Sequence, residues 1–472
     1  MKDATRIRPL YGVLLLLPLA ACFTAKEYQR PGMATDALYR MDLATDSVAP
    51  TMDSASLAQV SWRNLFPDPV LKQYVQQALD RNLDVRIALR NTDAAAAYLR
   101  QGKAAFWPAV NGSVQAGHSH LSKNGPQGNL GVADVDQFQA GASLGWEADI
   151  WGKIRSQKRA YEAAYLQSVE AQRAVQTRLV ASVAAGYYQL MALREQVAIA
   201  QETIASRDSS LRTTRALQAA GQVTAVAVQQ MEAQLYDAQL LLINLQQGRR
   251  LLENSFCMLL NEPPHEVALG ATDSPEITTP LALGVPADLL ANRPDVRQAE
   301  YALISAFELT NVAKSNFYPS LSISATGGLQ SLEVSNWLNA NSLFANVAAN
   351  LLQPIVNQRQ VRTAYEVARS RQEQALLRYQ QVLLQAGADV SNALFDHDSK
   401  VRAEAVQRKQ YEALKVAVDY SAQLLVNGMA NYLEVLTARQ SALAAQLNLV
   451  NIRYGKQMAI VDLYEALGGG WK

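Results

Sequence analysis

The sequence predicts an α+β membrane protein built by tandem duplication, with four alternating strands and helices too long for an ordinary globular domain. Three observations carry this. Between Gln137 and Ile150, apolar Phe138, Ala140, Ala142, Leu144, Trp146, Ala148 and Ile150 alternate with polar or small residues, the period of a strand with one greasy and one wet face. From Trp151 to Ala219 there is no proline and one interior glycine, Gly186, while Leu190, Val197, Ile204 and Leu211 keep helical spacing. Such a helix runs about 100 Å, whereas globular helices average about three or four turns, so an elongated object with a sheet at one end is expected. Finally, the pattern repeats. Asp295, Val296 and Arg297 repeat Asp84, Val85 and Arg86, and Phe317, Tyr318 and Pro319 repeat Phe106, Trp107 and Pro108, both at an offset of 211. Ala445, Gln446 and Leu447 mirror Ala238, Gln239 and Leu240, and Gly428 mirrors Gly221, at an offset of 207. The four-residue difference is assigned to a shorter second hairpin and a shorter exit from it.

Taken in order, residues 1–21 have the form of a bacterial lipoprotein signal. Lys2, Arg6 and Arg8 precede the apolar run Leu10 to Leu19, and Leu19, Ala20, Ala21 and Cys22 follow. Cys22 is the expected lipidated first residue of the mature chain, and Phe23, in place of the aspartate that often retains lipoproteins at the inner membrane, favours the outer membrane. Removing the signal moves the net charge from +1 to −1, which gives no basis for nucleic-acid binding. Cys257 is then without a disulfide partner and reads as a small buried hydrophobe. Residues 22–60 are an extended tether. The first repeat spans 61–262: a helix from Pro69 to Ala105, a hairpin at about 108–150, a long helix at about 151–220 and a return helix at about 224–262. A proline-rich connector, 263–285, leads to the second repeat, 286–472. It holds a helix, a hairpin at about 319–354, a long helix at about 357–427, a return helix at about 431–467 and a tail.

Four strands of about ten residues suit a bilayer, yet four cannot close, and open edges are not tolerated in hydrocarbon. Chains must therefore pool their strands. Two copies give eight strands, which side chains fill, and three give twelve, which can enclose a passage. Seven-residue spacings at Leu245, Leu252 and Leu259 and at Tyr411, Val418 and Leu425 favour helices packed side by side, continuing the ring of strands as a hollow cylinder. No other segment offers eighteen consecutive apolar residues for a membrane helix.

The lipobox Leu19 to Cys22, Tyr28 to Pro31, Arg293 to Arg297, Phe317 to Ser320, Asn431 to Val435 and the terminal Leu467 to Trp471 together resemble the outer-membrane factors of tripartite efflux pumps, in their lipoprotein branch of the TolC superfamily. The likeness covers nearly the whole mature chain. It implies a homotrimer with a twelve-stranded outer-membrane barrel and a periplasmic helical barrel. It further implies a periplasmic membrane-fusion adaptor and an inner-membrane transporter of the resistance-nodulation-division type as partners. The function implied is a passive gated conduit for drugs, toxic small molecules or metal ions. A TolC-like duct for type I protein secretion and a structural coiled-coil lipoprotein are the alternatives, and the lipid anchor and terminal Gly-Gly-Gly-Trp lean toward efflux. By this resemblance the turns at Gly221, Gln222 and Val223 and at Gly428, Met429 and Ala430 form the periplasmic tip that meets the adaptor. The constriction falls at Leu433, Thr437 and Gln440, where the family carries leucine, aspartate and arginine, so only the leucine is kept.

No catalytic set is legible, and neither a phosphate loop nor an HExxH zinc motif occurs. His118 and His120 share a strand face, but two imidazoles alone make a poor metal site. They read as wet residues near the extracellular rim. Asp396, His397 and Asp398 read as a solvated collar on the long helix. Glu147 and Asp149, on the wet face of the second strand, are expected to face the lumen and bias it toward cations. No cofactor is expected beyond the diacylglycerol and N-acyl lipid on Cys22.

Overall fold

The computed structural model describes residues 25–32, 38, 40, 56–122, 124, 134–271, 277, 289–430 and 432–471. The signal, Cys22, most of the tether, much of the connector and Asn431 lie outside them. Among the described residues the helices are α1 (Trp62–Leu65), α2 (Pro69–Arg81), α3 (Leu83–Ala104), α4 (Lys153–Ala219), α5 (Ala225–Leu259), α6 (Leu289–Asn292), α7 (Pro294–Ser315), α8 (Gln360–Val426) and α9 (Tyr432–Ala466). The strands are β1 (Ala109–His120), β2 (Asp134–Ala148), β3 (Ser320–Ser331) and β4 (Leu343–Leu352). None of these helices is long and apolar enough to cross a membrane.

The single helix expected from Pro69 to Ala105 is two. Asp68 caps α2, its carboxylate accepting from the Val70 amide at 2.8 Å, with Pro69 at the first helical position. At Asn82 the chain breaks, and its side-chain oxygen takes the Asp84 and Val85 amides at 2.8 and 3.2 Å, which starts α3. Its amide nitrogen donates to the Leu259 carbonyl at 3.0 Å, so a contact distant in sequence fixes the break.

The duplication is kept to the residue in the helices. α3 and α7 each have 22 residues, α4 and α8 each 67, and α5 and α9 each 35. Between the matched helices, the length variation falls in the hairpins and their exits. β4 has 10 residues against 15 in β2, the turn before it is shorter by two, and the exit from β4 to α8 is longer by three than the exit from β2 to α4. The second exit is thus longer, not shorter as the offsets suggested. The first exit turns on Gly152, whose φ is 75°, a conformation that glycine adopts without strain. The second turns on Gln358 and Arg359, both left-handed at φ 53° and 65°.

The chain divides into two compact units. The first holds the sheet, an antiparallel meander in the order β1-β2-β3-β4 that leaves β1 and β4 as edges. The two repeats meet at β2 and β3, where Gly141 faces Gly328. A Cβ on Gly328 would lie 2.2 Å from the Ala140 carbonyl oxygen, so side chains are excluded there. The second unit is helical, and its core includes Phe66, Leu71, Tyr187, Leu190, Phe256, Tyr379 and Tyr464. Tyr187 donates to the Asp68 carboxylate at 2.6 Å and accepts from the Gly270 amide at 2.9 Å. Cys257 is fully buried, with its sulfur 3.4 Å from Nδ1 of His265.

Candidate functional site

Strand register decides what the sheet can do. Residues directly opposite one another in antiparallel strands share a face. The rows Val110–Leu144–Ala325–Val347 and Val114–Ala140–Leu329–Leu343 are apolar across all four strands. On the other face lie Asn111–Ser143–Thr326–Asn346 and Gln115–Gln139–Gln330, with Phe344 the main exception. Val114 and Val347 are 75% and 79% exposed, a face that in water costs about 25 cal/mol for every Å² left uncovered. Aromatic side chains mark both ends of the strands. At the helix end Trp146 donates to the Phe106 carbonyl at 2.9 Å, and Trp151 donates to the Pro319 carbonyl at 2.7 Å and stacks on Tyr318 at 4.9 Å. At the far end Phe138 meets Trp337 at 6.0 Å. An apolar band about ten residues high between aromatic girdles is the pattern of a lipid-facing barrel wall.

The acidic pair expected in the lumen is spent locally. Glu147 closes β2 on the polar face and pairs with Lys153 at 3.0 Å. Asp149 lies past the end of β2 and caps α4, accepting from the Ile154 and Arg155 amides at 2.8 and 3.1 Å and pairing with the Arg155 guanidinium at 3.0 Å. At the far end His118 and His120 stand opposite Asp136 and Asp134, with Nδ1 to carboxylate distances of 2.7 and 2.6 Å. These cross-strand pairs lie on the same face as Val110 and Val114. Among the described residues no cluster of three or more His, Cys, Asp or Glu is arranged to hold a metal ion.

The two helix turns are built alike. Gly221 and Gly428 have φ of 73° and 69°. In each, the residue after the glycine returns its amide to a carbonyl five back: Gln222 to Leu217 and Met429 to Leu424, both at 2.9 Å. This is a Schellman stop, and glycine is needed for its backbone rather than for space. Gln222 and Met429 are exposed, while Val223 and Ala430 are half-buried.

Leu433, Thr437 and Gln440 fall on one exposed face of α9. The Thr437 hydroxyl donates to the Leu433 carbonyl at 2.9 Å. Leu433 and Thr437, but not Gln440, line an open groove of about 460 Å³ between α8 and α9, together with Leu414, Ala417, Glu434, Ala438 and Ser441. Arg439 lies on the same helix. It reaches α4 and donates to the Ser210 hydroxyl at 2.7 Å, a pairing between positions 229 apart that no local pattern announces.

The solvated collar expected at Asp396 to Asp398 is corrected. Only Asp396 is exposed; His397 is 7% exposed and Asp398 is fully buried, paired with Arg402 at 3.0 Å. Burial, reinforced by the Lys456 ammonium, pushes the His397 imidazole below its ordinary range.

The family model described as outer membrane efflux protein matches residues 74–261 and again 285–469, one match to each repeat. The chain is 28% identical over 467 residues to the probable outer membrane lipoprotein SilC of Salmonella typhimurium, covering 98% of each. It is 27% identical over 457 residues to the cation efflux system protein CusC of Escherichia coli K12, covering 96% of this chain and 97% of that one. It is 27% identical over 472 residues to the toluene efflux pump outer membrane protein TtgF of Pseudomonas putida, covering 98% and 96%. Among solved structures, the outer-membrane channel OprN superposes with a TM-score of 0.87 at 25% identity, over 95% of this chain and all of that one. The CusC channel superposes with 0.81 at 26% identity, over 94% and 99%.

Proposed function

The chain belongs to the outer membrane efflux protein family, and from that premise we propose that it is the outer-membrane conduit of a tripartite efflux system, in which three copies pool their sheets into one barrel. The observation that carries this reading is the register. A single-layer sheet with one apolar face, one polar face and two unpaired edges is complete only when further copies close it around a wet lumen. The apolar face then meets lipid and the polar face lines the passage. The lipid on Cys22 anchors each protomer to the membrane.

The conduit is passive. Its side chains supply a path and a resting constriction, not a reaction. The turns at Gly221 to Val223 and Gly428 to Ala430 meet a periplasmic adaptor, and an inner-membrane transporter of the resistance-nodulation-division type delivers the cargo. Leu433, Thr437 and Gln440 narrow the lumen by bulk and polarity, since no aspartate–arginine lock is available at those positions. Glu147 and Asp149, neutralised by Lys153 and Arg155, give the lumen little bias toward cations. Cargo consistent with the named relatives is small, toxic and either ionic or apolar.

Native mass spectrometry of the purified, lipidated protein tests the assembly. Three chains per particle is the expected mass. A monomer or dimer as the stable membrane form contradicts the barrel.

A further inference from the structure

On the reading that the sheet spans the outer membrane, a groove beneath β1 gains a role of its own. We propose that the groove between the end of α3 and the start of α4 holds the phosphate of an anionic phospholipid in the leaflet facing the periplasm. The groove is open, about 410 Å³, and lined by Lys103, Phe106, Arg155, Lys158 and Arg159. Among the described residues no carboxylate lines it.

The residues are placed by packing rather than by chance exposure. Gly102 lets α3 approach α4 so closely that a Cβ there would lie 2.6 Å from the Tyr161 ring, and Tyr98 stacks on the same ring at 6.1 Å. That contact fixes Lys103 opposite the first turns of α4, which carry Lys153, Arg155, Lys158 and Arg159 and have no acid in the first turn. Cations at a helix N-terminus oppose its dipole, so local helix stability does not account for them. Asp149 pairs with Arg155 at 3.0 Å and Glu308 with Arg159 at 2.7 Å, while Glu162 is 3.8 Å from Lys158. Lys103 has no carboxylate partner among the described residues.

Position along the strands supplies the ligand class. Phe106 and the largely exposed Trp107 immediately precede β1, and aromatic side chains of this kind settle at the headgroup level. The cations sit one step to the helix side, where phosphates lie, and basic pockets at that depth select anionic headgroups. The duplication provides a comparison. Lys314, Phe317 and Arg362 stand at the positions of Lys103, Phe106 and Arg155, but Tyr365 and Glu366 replace Lys158 and Arg159. Glu366 moreover pairs with Arg359 at 3.2 Å. The full constellation therefore occurs once per chain, in the first repeat.

The test is native mass spectrometry of the full lipidated assembly released from nanodiscs of phosphatidylglycerol or phosphatidylcholine, comparing wild type with Lys103→Gln/Lys158→Gln and Lys103→Arg/Lys158→Arg. Each cation near an anionic surface is worth about fivefold in affinity, so the glutamine pair is expected to retain phosphatidylglycerol about 25-fold less, with phosphatidylcholine unchanged and the arginine pair close to wild type. Equal retention by the glutamine pair overturns the site. So does displacement of the lipid by millimolar inorganic phosphate, which reassigns the groove to a free anion. Loss of oligomer mass with lipid retention unchanged assigns the groove to a neighbouring copy instead. A chain that never enters the nanodisc overturns the channel reading and this site with it.

Discussion

The helix pair α4–α5 and the helix pair α8–α9 have matching lengths and matching glycine stops, but their interiors differ near the turn. In the first pair Leu211, Val228, Met231 and Leu235 form a buried cluster with Ile204 packed against it. Shifted by 207, these positions become Val418, Val435, Ala438, Ala442 and Tyr411. Two large side chains have become alanines, and that is where the second pair opens. Ala438 lines the groove beside Leu433, and Ala442, Tyr411 and Val418 line a second groove of about 300 Å³ whose other wall is α4, with Ile199, Thr203 and Arg207. The polar ties differ in the same sense. Glu232 of α5 pairs with Arg215 of its own long helix at 3.5 Å, and Arg207 donates to the Gln234 carbonyl. At the position matching Glu232 stands Arg439, which leaves its own pair to bond Ser210 of α4. The first pair is filled near its turn, whereas the second has grooves there and is tied to α4 by the Arg439 to Ser210 bond and, farther from the turn, by Gln196 to Asn451 and Arg453 to Glu195. The candidate constriction lies on the second pair.

The largest effect expected from this contrast is at Met231. Met231→Ala should remove about 2–5 kcal/mol of packing and transfer free energy, read as a lower unfolding midpoint of the assembly. The reverse change, Ala438→Met, fills the groove and should reduce channel openings without lowering that midpoint. A midpoint indifferent to Met231→Ala would erase the distinction between the pairs. Next comes Arg439→Ala, which loses a hydrogen bond worth about 1 kcal/mol and should raise the resting open fraction about fivefold. Glu232→Ala, on the filled pair, should leave that fraction unchanged.

The smallest effect is a pH dependence. His397 and Asp398 of α8 stand where α4 buries Leu190 and Met191. A buried imidazole with a depressed folded pKa takes up its proton more readily in the unfolded chain. Its contribution is therefore intact above the ordinary value near 6.5 and is lost as pH falls below it. The unfolding midpoint should drop between pH 7.5 and 5.5, and His397→Leu, which imports the first-repeat residue, should flatten the drop. An equal drop in the variant would assign the acid sensitivity elsewhere.

Periodicity made the duplication, the strands, the long helices and both glycine stops legible, because each is a local pattern of side-chain type. What escaped depends on contacts between distant segments. Asn82 breaks a helix that its neighbours would continue, because Leu259 receives its amide. Asp398 looked solvated because nothing local reveals that the helix buries it. Asp149 kept the alternation of β2 by one residue too many, and the cap of α4 claimed it. At the candidate constriction the positions came from resemblance, whereas the Arg439 to Ser210 bond required the fold.

Single-channel recording of the purified, lipidated protein in planar bilayers, beside the Arg439→Ala variant, tests the central claim most directly. The account predicts small, mostly closed currents from the wild type and more frequent openings of the same unit conductance from the variant. A wild type that inserts but stands fully open, or a variant with unchanged open fraction, would contradict a lumen held shut by the second helix pair.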